Sequence, residues 1–192
     1  MTTHRTPTHR PEAASPWVFS TRELGRRPGA MRTVSRSIVA PDAPGVIGIE
    51  GVIAVPAGSP MRLELRLEAV TEGVYVSGTV SAELAGECAR CLDPMNDALE
   101  VAVAELFAYP DSITEETTDA DEVPRLVDEL IDLEPTVRDT IILELPLAPL
   151  CSPDCLGLCP GCGGRRADLG PDHGHERLDP RWAALREHLP SE

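Results

Sequence analysis

Arg62-Leu63-Glu64-Leu65-Arg66-Leu67-Glu68 repeats every two residues, with three leucines on one side of an extended chain and four charges on the other. Such a strand buries one face and wets the opposite one, the habit of an antiparallel sheet. Outward from it, residues 46–55, 61–70, 74–84 and 95–109 are all strand-like, rich in β-branched residues and alternating in polarity. The breaks between them, Pro56 to Pro60, Thr71 to Gly73 and Asp93-Pro94, are of turn length, so a four-strand antiparallel meander or partly closed sheet is the simplest topology. Beyond the acidic stretch from Pro110 to Val123, read as a solvated loop or a docking tail for a basic partner, Asp132 can cap a helix that runs to Leu145. Leu133, Val137, Ile141 and Leu145 recur there every four residues, Pro135 sits in the first turn, and Pro146 ends the helix. Asp179-Pro180 starts a second, short helix with Trp182, Leu185 and Leu189 on one stripe.

The expected fold is therefore α+β: an antiparallel sheet with one packed helix and a small C-terminal zinc-ribbon-like module. Residues 1–16, polar and punctuated by Pro7, Pro11 and Pro16, read as a disordered tail. Residues 17–150 read as the β-rich acidic domain, in which Trp17, Val18 and Phe19 are apolar and Arg26-Arg27-Pro28-Gly29 is loop. Residues 151–192 read as a Cys/His-rich metal-binding module with the terminal helix.

Composition excludes several function classes. A chain of 192 residues with 42% apolar content supports one mid-sized domain and an appendage. Six aromatic residues leave no stock for platforms that hold single strands by base stacking. The net charge of −15 is unevenly placed: residues 1–36 carry seven Arg against two acids, residues 37–150 carry five Arg against 23 acids, and the remainder five against seven. The acidic body repels phosphate at long range, so RNA contact falls to the Arg-rich ends, or the partner is a basic protein. No run of 18 apolar residues exists, and a soluble, cytoplasmic protein without membrane contact is expected. In a reducing compartment six cysteines point to metal ligation rather than disulfides.

Those cysteines stand as Cys88-x2-Cys91 at the end of the third expected strand, then Cys151-x3-Cys155-x3-Cys159-x2-Cys162, followed by His173-x-His175. A two-residue spacing lets one tight turn present both sulfurs to the same ion, and structural zinc takes four thiolate or imidazole ligands in a tetrahedron. In Cys159-Pro160-Gly161-Cys162-Gly163-Gly164 the glycines allow the positive φ of a metal-binding knuckle. Cys159, Cys162, His173 and His175 are thus expected to bind one zinc. Cys88, Cys91, Cys151 and Cys155 can form a second site that ties the sheet to the segment after the helix. The other grouping is a single zinc on Cys151 to Cys162, with Cys88 and Cys91 free. A thioredoxin-like redox role for Cys88-Ala-Arg-Cys91 is disfavoured because the pair does not open a helix in a βαβ context. His173 and His175 have an ordinary reading as polar loop residues, and His4, His9 and His188 as solvent-facing ones.

The run Cys-Ala-Arg-Cys-Leu (88–92), then Ile131-Asp132-Leu133, Ile141-Ile142-Leu143-Glu144-Leu145-Pro146, the block Cys151-x3-Cys155-Leu156-Gly157-Leu158-Cys159-x2-Cys162-Gly163, and Asp179-Pro180-Arg181-Trp182 together resemble the YceD family. Its members are called large ribosomal RNA subunit accumulation proteins, and the similarity runs in order from Trp17 to Leu189. The resemblance implies a role in the synthesis, processing or stability of large-subunit (23S) ribosomal RNA, and it brings no catalytic residues. Where such cysteine-rich members carry a CxC pair after the GLCxxCG block, this chain has His173-Gly174-His175, a departure that keeps metal-ligand chemistry.

The expected function is a non-enzymatic ribosome-biogenesis factor whose acidic body engages a basic large-subunit ribosomal protein or an assembly intermediate, with no small-molecule substrate. Arg26, Arg27, Arg32 and Arg36 are the candidate phosphate contacts on precursor RNA, with Arg165 and Arg166 beside the zinc knuckle as second choices. The alternative is a metal-dependent nuclease of RNA processing. A catalytic zinc keeps an open, water-filled position near a carboxylate, whereas these spacings supply closed four-ligand sets. A zinc-ribbon transcription regulator is disfavoured, since Trp182 to Leu189 carries only Arg186 as a cation.

Overall fold

Alternating burial on Pro60–Ala69 shows how the sheet is built: Met61, Leu63, Leu65, Leu67 and Ala69 point into the core, while Arg62, Glu64 and Arg66 face water. The computed structural model describes residues 11–12, 14–42, 45–112 and 123–175. Its strands are β1 (Val18–Ser20), β2 (Met31–Val39), β3 (Gly48–Ile49), β4 (Ile53–Ala54), β5 (Pro60–Ala69), β6 (Gly73–Glu87), β7 (Pro94–Ala108) and β8 (Leu130–Asp132), followed by helix α1 (Glu134–Glu144). Among these residues the protein is mostly antiparallel sheet with one helix. No helix here is long and apolar enough to cross a membrane.

The long strand β6 organises the main sheet. One edge pairs with β7 from Gly73↔Ala108 to Glu87↔Pro94. The other pairs first with β5, from Ala69↔Val74 to Met61↔Ala82, and then with β4 at Ile53↔Gly86 and Ala54↔Ala85. β2 extends the sheet beyond β5, and β3 beyond β4. The meander expectation therefore holds for β5-β6-β7 and needs correction elsewhere. Residues 46–55 form the two short strands β3 and β4, joined by a turn in which the Val52 amide donates to the Ile49 carbonyl at 3.0 Å, rather than one long strand. Strand β2 and the two-stranded β1-β8 ribbon were not anticipated.

The helix meets its expectation closely. Leu133, Val137, Ile141 and Leu145 are all buried, and α1 lies against β7 and β3. Its start is shifted by one position: Leu133 is the N-cap residue, and Asp132 from the end of β8 accepts the Glu134 amide through Oδ1 at 3.0 Å. Arg138 fastens the helix to the β2–β3 connection by donating to the carbonyls of Val46 (2.9 Å) and Gly45 (2.8 Å), while pairing with Glu134 at 2.9 Å. The second expected helix with Trp182, most of the acidic loop and the tail with His4 and His9 lie outside the described residues.

This scaffold fixes two points needed for the site. The β6–β7 turn carries Cys88 and Cys91 at one end of the sheet, and the chain leaving α1 after Pro146 returns to that end, where the Ala89 amide donates to the Pro149 carbonyl at 2.8 Å.

Candidate metal centres

The β6–β7 connection is a tight knuckle: the Leu92 amide donates back to the Cys88 carbonyl at 2.8 Å, and the Cys88 amide to the Asp93 carbonyl at 2.9 Å. Both sulfurs are thereby held under the sheet end, and both residues are buried. Cys151 and Cys155 arrive from the segment after α1. The Sγ···Sγ separations are 3.7 Å for Cys88–Cys155 and 3.6 Å for Cys91–Cys151, and all four sulfurs lie within 4.8 Å of one another. Four thiolates on a tetrahedral ion with bonds of about 2.3 Å stand about 3.8 Å apart, so this donor set fits one ion.

The second cluster is a ribbon beside the first. The Gly163 amide closes its knuckle onto the Cys159 carbonyl at 2.8 Å, and the Cys159 amide donates to Gly164 at 2.7 Å. Cys162 Sγ lies 3.6 Å from His173 Nε2, and the Nε2 atoms of His173 and His175 are 2.9 Å apart. The four donor atoms again lie within 4.8 Å of one another, which suits a mixed sulfur and nitrogen tetrahedron. The His175 ring lies against Gly161 where a side chain would stand, so glycine at that position leaves room for the imidazole. In the first set Cys88 and Cys91 are buried, Cys155 is half-buried and Cys151 exposed; of the second, only Cys159 is buried.

Proton affinities in the two clusters are split in the manner of ligand sets. Backbone amides, chiefly that of Cys151 and then that of Cys91, point at the Cys88 sulfur and hold its pKa down at about 6. Cys91 is pushed up to about 12, by burial first and then by the neighbouring sulfurs. In the second cluster the amides of Gly161 and Cys162 lower Cys159 to about 6. In each set backbone amides thus favour the thiolate form of one cysteine, the form that binds a cation.

The two centres share outer supports that the sequence reading passed over. Arg90, between the first two cysteines, donates to the carbonyls of Cys155 (2.9 Å) and Pro153 (3.4 Å). Its own carbonyl accepts the Leu158 amide at 3.0 Å. Asp93 places Oδ2 3.2 Å from Cys91 Sγ and pairs through Oδ1 with Arg165 of the second ribbon. The signal for both was their position within two residues of a cysteine pair.

The candidate phosphate contacts fare unequally. Arg36 is turned inward: it donates to the carbonyls of Pro16 (2.7 Å) and Val18 (3.0 Å), its guanidinium stacks 3.9 Å from the Phe19 ring centre, and burial followed by the charge of Arg32 lowers its pKa. In the fold it serves as a clasp between β2 and the segment of β1. Arg26 forks onto Asp111 at 2.8 and 2.9 Å above Tyr109, Arg32 pairs with Glu23 at 2.7 Å, and Arg165 is held by Asp93. Arg27 and Arg166 are exposed and make no ion pair among the described residues.

The sequence profile described as large ribosomal RNA subunit accumulation protein YceD matches residues 76–187, which include all eight candidate ligands. The chain belongs to the YceD family. An uncharacterized Mycobacterium tuberculosis protein (strain H37Rv) is 52% identical to this YceD-family chain over 183 residues, covering 95% of it and 86% of the relative. An uncharacterized Mycobacterium leprae protein is 43% identical, covering 91% and 78%. The uncharacterized protein YlbN of Bacillus subtilis is 30% identical over 132 residues, covering 68% and 75%. No solved structure matches.

Proposed function

We propose that this YceD-family protein is a non-enzymatic, cytoplasmic factor that supports the synthesis, processing or stability of large-subunit ribosomal RNA by binding an assembly intermediate or a basic ribosomal protein. It holds two structural zinc ions, one on Cys88, Cys91, Cys151 and Cys155, the other on Cys159, Cys162, His173 and His175. The observation that carries this reading is the convergence of two four-donor sets onto one end of an acidic sheet in a chain of this family. A full set of four protein ligands leaves no open position for a reacting water, the arrangement of structural rather than catalytic zinc. Where RNA phosphate is touched, Arg27 and Arg166 are the exposed cations to do it.

Elemental analysis of the purified, reduced protein tests the metal half: two zinc ions per chain are expected, falling to one in a Cys159→Ser/Cys162→Ser variant. Depletion of the protein in cells tests the other half, with mature large-subunit RNA expected to fall relative to small-subunit RNA. Absence of metal would remove the structural argument. Hydrolysis of precursor RNA by the zinc-loaded protein, lost on changing one carboxylate, would reverse the non-enzymatic reading.

A further inference from the structure

The two knuckles of this chain place different residues in the same backbone position. After the second cysteine of each pair the chain turns back so that the next amide bonds the first cysteine's carbonyl at 2.8 Å: Gly163 onto Cys159, and Leu92 onto Cys88. Both residues adopt left-handed backbone angles, φ 73° for Gly163 and 61° for Leu92. Glycine takes that conformation without steric cost, whereas an L-residue with a side chain is strained there. Little packing covers Leu92, which is 60% exposed. The knuckle bond to Cys88 holds that conformation and leaves the leucine largely exposed.

Leu92 has apolar company. Leu156, next to ligand Cys155, is 63% exposed, and Leu147, two residues before the Pro149 carbonyl that bonds Ala89, is 85% exposed. The charges beside these leucines are mainly acidic, with one exception: Arg166, whose amide donates to the Gly157 carbonyl at 2.9 Å, is exposed and makes no ion pair among the described residues. Arg90 is engaged by the carbonyls of Cys155 and Pro153, and Arg165 by Asp93. Glu87, Glu144 and Asp154 are exposed and have no ion-pair partner among the described residues. The surface around the tetracysteine centre therefore offers apolar points in a mainly acidic rim, carried on the Cys88–Cys91 knuckle.

We propose that Leu92, Leu147 and Leu156 form a docking surface for a basic protein segment that presents apolar residues between Lys or Arg. This rests on the reading that the partner is a large-subunit assembly intermediate, and it names the contact. The acidic rim and the charge of −15 select a cationic partner, and the leucines supply the desolvated anchors.

The test is Leu92→Gly, which removes the anchor and relieves the strain, so that folding and docking are expected to change in opposite directions. The full-length, zinc-loaded variant is expected to melt no lower than the parent and to keep its zinc. Its cosedimentation with purified large-subunit precursor particles is expected to weaken by about tenfold or more. Leu156→Ser is expected to weaken it similarly. Failure of the parent itself to cosediment would overturn the assembly-factor reading and this proposal with it. Equal cosedimentation of parent and both variants would overturn the docking surface alone. An equal loss on protein-free precursor RNA would make the occupant RNA. A lower melting temperature for Leu92→Gly would assign the leucine to this chain's own packing, and a change from dimer to monomer would assign it to a second copy; each of these three results overturns the proposal.

Discussion

The tetracysteine centre joins residues 60 apart in sequence, Cys91 and Cys151, across a segment that includes β7, β8 and α1. A cross-link of that span removes chain entropy from the unfolded state worth about 4 kcal/mol. With a urea slope of about 2 kcal/mol/M, Cys91→Ser should lower the unfolding midpoint of the sheet by roughly 2 M. Cys162→Ser opens only a local ribbon, with Cys162 and His173 11 residues apart, and should leave the sheet within about 0.5 kcal/mol of the parent. The assay is equilibrium urea unfolding of zinc-loaded, fully reduced protein, followed by far-UV circular dichroism of the sheet, with chelator added in parallel. Chelation should bring the parent down to the level of Cys91→Ser and leave that variant almost unmoved. Refutation is clear: a loss below about 1 kcal/mol for Cys91→Ser, or equal losses for the two variants, would show that the first centre does not cross-link the body.

Other perturbations test the scaffold. Ile141→Ala empties a fully buried site between α1 and the sheet and should cost about 3 kcal/mol by the same unfolding assay. Arg36→Ala removes two bonds to carbonyls and the cover over Phe19, and should cost about 1–2 kcal/mol after allowance for its partial exposure. Glu105 lies on β7 opposite Val76, and burial raises its pKa above the ordinary carboxylate value. The folded state therefore favours the protonated acid, so this group's destabilising contribution is present above its folded pKa and fades as pH falls through it. Glu105→Gln should raise the unfolding free energy slightly at pH 7, by roughly a few tenths of a kcal/mol, with the gain shrinking in acid, as read by urea unfolding across pH.

Where one physical term dominated, the fold was legible. The leucine alternation of β5 and the four-residue stripe from Leu133 to Leu145 each mark a buried face, and both faces are buried as read. Strand β2 escaped because its inward positions, Val34, Arg36 and Ile38, include an arginine whose charge masks a period that Val34 and Ile38 alone cannot declare. Residues 46–55 looked like one strand by composition, yet Gly51, at φ 73°, sits in the turn that splits them. β1 and β8, three residues each, are too short to carry a pattern and exist because their partners are brought together. At the metal centres the short spacings are local information, and the grouping proposed from them is the one the chain brings within 4.8 Å. Arg90, Asp93 and Leu92 are marked in the sequence only by nearness to the cysteine pair, because their roles depend on what crosses beside them.

Charge counted along a sequence overstates the charge a partner meets. Of the seven arginines in residues 1–36, Arg22 pairs with Glu129, Arg26 with Asp111 and Arg32 with Glu23, and Arg36 is spent on two carbonyls. Among the described residues only Arg27 of that group is left without such a contact. Three of the five described arginines of that segment are thus ion-paired, while Glu87, Glu144 and Asp154 are exposed with no ion-pair partner among the described residues. An electropositive RNA clamp needs the opposite balance. Contact of a basic protein segment with the leucine-bearing end, as proposed above, accords with this distribution, and Arg27 and Arg166 remain for RNA phosphate.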